Sequence, residues 1–265
     1  MKEDIVKKIA PIENKTNTKK DDNRFHTMKV MNQTALEIVK DSNKFKQYLD
    51  LQSSLDKYSV GNLLLIIAQA PNTKQLTKMK QSLKDKEIIL IQPKKTNKSN
   101  FQNYKLFSSE RPLKKNKYYE DNKLLLKAFL NDCPVDIKVV DETEEEKNIY
   151  WNDFFGILYI KKGLEYNELF EGLARELTKE ELGASNTELE KFKCKCITYM
   201  ILKKYGKDVS NYKFDDIPEE FIKDDPIKIR KELNELKEGL NIFNNRVNSF
   251  FDEITKRNTR KNYSR

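Results

Sequence analysis

The residues able to do chemistry are few, and their spacing excludes most common reactions. His26 is the only histidine, so Ser-His-Asp and Cys-His nucleophilic centres lack a base outside the N-terminal segment. The cysteines are Cys133, Cys194 and Cys196. The last two, separated by one residue on a helix, point about 200° apart and cannot hold one metal from a single face. They read as small core residues, and three thiols make a poor disulfide framework, which suits a reducing cytoplasm. Neither phosphate-cradling motif, G-x-x-x-x-G-K-[ST] or G-x-G-x-x-G, occurs. Arg175-Glu176-Leu177-Thr178-Lys179 sets a glutamate between two cations four residues apart. By itself it reads as an amphipathic helix segment. The inventory therefore predicts no catalytic residue, no metal and no cofactor.

Charge placement is more informative. The net charge is +9, but residues 1–120 hold 25 basic against 13 acidic side chains, whereas residues 121–265 hold 26 against 29. Residues 71–119 alone carry 13 basic and 3 acidic groups, punctuated by Phe101, Tyr104, Phe107, Tyr118 and Tyr119. Cations matched to phosphates, with aromatic faces for unpaired bases, are what single-strand binding requires. The phosphate contacts expected are Lys74, Lys78, Lys80, Lys94, Lys95 and Lys98, with Tyr104 and Phe107 as stacking residues. The other reading is a solvated lysine-rich loop whose aromatics lie in the core. The longest apolar run, residues 63–68, is far short of the ~20 needed to span a bilayer, and the N-terminus lacks the apolar stretch of a secretory signal. The expected setting is cytoplasmic, without a membrane partner.

These residues need elements to position them. Residues 1–25 are polar and aperiodic and read as a disordered tail. Helical faces run from about residue 31 to 58 with a break at 41–43, and a second helix over 63–69 ends at Pro71. Residues 88–92 and 104–108 are strand candidates joined by a Lys/Asn loop. A boundary at 114–123 precedes a helix over 124–130, strands over 135–140 and 155–161, and helices over 166–182 and 187–205. Last comes a heptad stripe: Ile229, Leu233, Leu236, Leu240, Phe243, Val247, Phe250 and Ile254. It fits either a homodimer seam through 229–254 or packing along its own domain.

Two stretches resemble the ArdC-type antirestriction and single-stranded-DNA-binding proteins of conjugative plasmids and transposons. In residues 45–80, Tyr58, Ser59, Asn62, Leu65, Ile66, Gln69 and Pro71 stand where that family carries a Tyr-Ser-x-x-Asn-x-x-Leu-Ile-x-x-Gln-x-Pro-like signature. Asn62 and Gln69, seven apart, share a helix face from which their amides can reach bases or a neighbouring loop. The family's Trp and Gly-rich basic turn are missing from residues 81–86. Residues 124–205 are similar to the family's C-terminal zinc-metallopeptidase-like domain of the ImmA/IrrE type. Where that family has H-E-x-x-H, this chain has Arg175-Glu176-Leu177-Thr178-Lys179, and the third ligand position falls on Lys195. Cations have no lone pair for a metal.

The resemblance implies an α+β chain with a tail (1–25), a helical and small-sheet DNA-binding domain (26–120) and a pseudo-metallopeptidase domain ending in a long helix (121–265). It implies a single-stranded-DNA-binding, catalytically inactive protein of a mobile element, with Tyr58, Asn62 and Gln69 among its DNA contacts and antirestriction as its service. Two other functions stay open: a residual hydrolase centred on Glu176, and a helical dimeric structural or regulatory partner.

Overall fold

A computed structural model describes residues 18–94, 101–112, 116–143, 147–183, 187–222 and 224–263, without the side chains of 18–24 and 258–263. Among them are eight helices and two three-stranded sheets, an α+β chain. No helix among these residues is long and apolar enough to cross a membrane.

The chain divides into two compact units, one of Met1–Lys114 with Lys213–Asn234, the other of Lys115–Tyr212 with Glu235–Arg265. Unit order thus departs from chain order: residues 213–234 return to the first unit instead of extending the second.

The first unit opens with α1 (Thr18–Val39), α2 (Ser42–Ser54) and α3 (Val60–Gln69). Helix α1 begins at Thr18, so the expected tail is helical over 18–25, and residues 1–17 lie outside the described residues. The break before α2 falls where Asp41 caps it, its carboxylate accepting from the backbone N–H of Asn43 (2.9 Å) and Lys44 (3.1 Å). Ser59 caps α3 in the same way at 3.3 Å, and α3 stops two residues before Pro71. Strands β1 (Gln75–Thr77), β2 (Lys86–Pro93) and β3 (Phe101–Ser109) form an antiparallel sheet in the order β1-β3-β2. Phe45 of α2 packs edge-on against Phe214 and Phe221, which anchors the returning segment and its short helix α7 (Glu219–Ile222).

The second unit holds α4 (Asn122–Phe129), β4 (Asp136–Val140), β5 (Ile149–Asn152), β6 (Ile157–Lys161), α5 (Tyr166–Leu182) and α6 (Glu188–Lys204). Its sheet runs β4-β6-β5, with β4 parallel and β5 antiparallel to β6. Gly172 decides how closely α5 approaches β5: a Cβ there would meet the Ile149 side chain at 2.7 Å.

The final helix α8 (Pro226–Tyr263) gives its first turns to the first unit and the remainder to the second. Ile229, Leu233, Leu236, Leu240, Phe243 and Val247 are all fully buried within the chain. For these six residues the structure follows the second of the two readings of the stripe, packing along its own chain, while Ile242 stays exposed and Ile254 half-exposed. Near its end Phe251 is buried and Phe250 half-exposed, a one-residue shift from the heptad reading.

Candidate functional site

Two places collect the residues singled out by sequence. In the first unit, pairs across the β2–β3 ladder share a face, so Phe101, Asn103, Lys105 and Phe107 project on one side together with Pro93, Ile91, Ile89 and Glu87. Phe101 is 45 % exposed, Asn103 and Lys105 are exposed and Phe107 is half-exposed. The Lys105 ammonium meets Glu87 at 2.8 Å. Ile89 on this side is nonetheless buried; on the other side Ile88, Leu90 and Leu106 lie in the core, Tyr104 is half-buried and Gln92 and Gln102 are exposed. Lys74, Lys78 and Lys80, flanking the edge strand β1, are exposed, and Lys94 after β2 is half-exposed. Lys95 and Lys98 lie outside the described residues.

Several expected DNA contacts are placed elsewhere. Asn62 is buried, and its amide closes the outward edge of β2: Nδ2 donates to Ile91 O and Oδ1 accepts from Ile91 N–H, both at 2.9 Å. Gln69 does the same one step along, with Nε2 to Ile89 O at 2.9 Å and Ile89 N–H to Oε1 at 2.8 Å. Each amide is committed to one residue's backbone pair on the strand edge, Asn62 buried and Gln69 half-buried. Tyr104 pairs with Leu90 on the buried side of the sheet, not beside Phe107. Burial raises its phenol pKa, and the nearby Tyr58, itself half-buried and raised by burial, adds to this. The exposed aromatic partner of Phe107 is Phe101, which alternation by two would have found. Tyr118 and Tyr119 belong to the second unit, where Tyr118 stacks on Phe251 and Tyr119 packs edge-on to Tyr205.

In the second unit, α5 carries Arg175-Glu176-Leu177-Thr178-Lys179 against the edge strand β5. Glu176, only 2 % exposed, accepts from Arg175 Nε at 2.8 Å and from Lys179 Nζ at 2.9 and 3.0 Å. Its Oε2 also accepts from Trp151 N–H at 3.3 Å, while the Arg175 guanidinium donates to Ile149 O at 3.3 Å. Burial pushes the Glu176 carboxyl upward, but the hydrogen bonds and charges of Arg175 and Lys179 outweigh it and hold the group below its ordinary value of 4.5. Strand β5, which supplies both backbone partners, is absent from the elements expected from sequence; the run Ile149-Tyr150-Trp151 is the signal that could have found it.

The donor set does not fit a metal. Around the one carboxylate stand two cations, and both its oxygens are already engaged. Among the described residues no three His, Cys, Asp or Glu side chains gather as metal ligands. Lys195 stands exposed on the wall of an adjoining pocket of about 420 Å³, lined also by Arg175, Lys179 and Cys194. Cys194 and Cys196 are buried free thiols, both raised by burial, and Cys194 Sγ lies 3.4 Å from Arg175 O.

No protein-family model, no curated protein and no solved structure matches the chain.

Proposed function

We propose that this protein binds single-stranded nucleic acid, single-stranded DNA foremost, on the open face of the β1-β3-β2 sheet, and that it catalyses no reaction. The observation that carries this reading is the period-two row Phe101, Asn103, Lys105 and Phe107 on the exposed side of β3. Two aromatic rings with a cation and an amide between them offer stacking surfaces and a phosphate contact on a rigid strand. Lys74, Lys78, Lys80 and Lys94 supply further cations around the sheet. Catalytic silence rests on Glu176, whose oxygens are engaged by Arg175, Lys179 and Trp151 and so are not available to activate water. The ArdC resemblance extends this to service in mobile-element transfer and antirestriction.

The test is fluorescence anisotropy with labelled single- and double-stranded oligonucleotides at two salt concentrations. Single strands should bind more tightly, and binding should weaken with salt. Changing Phe101 and Phe107 to Ala should each lose about 1–3 kcal/mol of binding, because each removes a stacking surface. Changing Lys74, Lys78 and Lys80 to Ala should flatten the salt slope by about one unit for each lysine that neutralises a phosphate. Unchanged affinity in the phenylalanine variants would overturn the reading.

A further inference from the structure

The pocket beside the Glu176 cluster has walls built from two helix stripes. Glu171, Arg175 and Lys179 recur every four residues on α5, and Lys191 and Lys195 do so on α6. Four cations on the walls face two carboxylates, Glu171 and Glu190. Arg175 and Lys179 turn one side to Glu176, yet their side chains remain 37 % and 31 % exposed. Counted with Glu176 and Glu188, the four wall cations stand among four carboxylates, so an incoming anion is held by sharing the N–H groups that Arg175 and Lys179 turn toward the pocket.

The remaining walls suit an organic body. Tyr212 closes one side, its ring beside that of Tyr199 at 5.5 Å and its hydroxyl donating to Glu171 at 3.0 Å. That bond engages one of the two wall carboxylates. Thr198 lies at the buried end, its hydroxyl without a nitrogen or oxygen partner among the described residues and set against the Cys194 thiol. Lys191 meets Glu188 at 2.9 Å in an exposed pair, which is worth little and readily exchanged for a ligand. About 420 Å³ is within the range of small-molecule sites.

We infer that this pocket binds a small organic anion, its carboxylate or phosphate held by Arg175, Lys179 and Lys195 and its apolar or aromatic body lying along Tyr212. The site belongs to the second unit and does not depend on the nucleic-acid reading of the first.

The probes are phenyl phosphate and benzoate, with inorganic phosphate and neutral benzamide as controls. They are titrated into the full chain by calorimetry and by amide chemical shifts. At least one anionic probe should bind, with shifts concentrated on α5, α6 and Tyr212, and more tightly than either control. A stronger response to phenyl phosphate assigns the phosphate class, and the reverse assigns the carboxylate class. Lys191→Glu with Lys195→Glu, exposed positions outside the Glu176 bonds, should weaken binding about tenfold or more. Lys195→Met, which adds no negative charge, should weaken it less. Absence of binding at millimolar concentration, shifts confined to residues 74–107, equal binding of benzamide and benzoate, or full affinity in the charge-reversed variant would each overturn the assignment.

Discussion

Both sheets end in an edge strand whose outward backbone groups require partners, and the two units close those edges with opposite chemistry. In the first unit, Asn62 and Gln69 of α3 reach Ile91 and Ile89 of β2, and each neutral amide returns both a donor and an acceptor at 2.8–2.9 Å. In the second, Arg175 and Glu176 of α5 reach Ile149 and Trp151 of β5, one group apiece, at 3.3 Å. An amide reproduces the missing neighbouring strand and depends on nothing else. The ion cluster holds its edge only while a buried carboxylate keeps its charge and its two cations. One closure is self-sufficient and the other conditional, and that difference can be measured.

The largest effect should come from removing the cations. Arg175→Met with Lys179→Met leaves the Glu176 carboxylate buried without compensation, which costs about 3–5 kcal/mol. Urea unfolding followed by tryptophan fluorescence reports it, since Trp151 of β5 is the only tryptophan. Adding Glu176→Leu to that variant should restore most of the loss, because an apolar replacement of the whole cluster carries no stranded charge. If the double variant is as stable as the parent, the closure of β5 is not ionic in the sense argued.

Breaking the neutral closure should cost less. Asn62→Leu or Gln69→Leu strands one N–H and one C=O on the β2 edge, for about 1–3 kcal/mol each. Because the two amides serve different residues of one strand, the double variant should show near-additive losses. Hydrogen exchange at Ile89 and Ile91 localises the effect: each substitution should expose its own partner amide first.

The same contrast explains what the sequence allowed. Helices over 63–69, 124–130, 166–182 and 187–205 and strands over 88–92, 104–108 and 135–140 follow from periodicity and punctuation, and each has its counterpart in the structure. Burial of a helix face repeats within one segment and is therefore visible locally. Strands β1 and β5 are short, three and four residues, too brief for alternation to register. Asn62 and Gln69 are recognisable in the sequence as a pair sharing a face, but their partners lie 29 and 20 residues away on a strand edge. Nothing local distinguishes an amide aimed at backbone from one aimed at a base. Arg175, Glu176 and Lys179 are legible as a group because helical spacing brings them together, whereas Tyr212, remote in sequence, joins the pocket only through the fold.

The smallest and most selective effect is on pH. Glu176 in the folded chain lies below its ordinary value of 4.5, so its contribution to stability is fully present above about that pH. It disappears as pH falls through the folded value, because the protonated carboxyl no longer attracts Arg175 and Lys179. Asn62 and Gln69 do not titrate. Lowering the pH from above 4.5 down through the folded value of Glu176 should therefore reduce protection of the Trp151 amide, after correction for intrinsic exchange, while Ile89 and Ile91 keep theirs. Glu176→Gln supplies the control: its side-chain oxygen can still accept from Trp151, but its protection there should be lower at neutral pH and flat below it. If Trp151, Ile89 and Ile91 lose protection in step in the parent chain, global acid unfolding is responsible and the two closures do not differ in the way described.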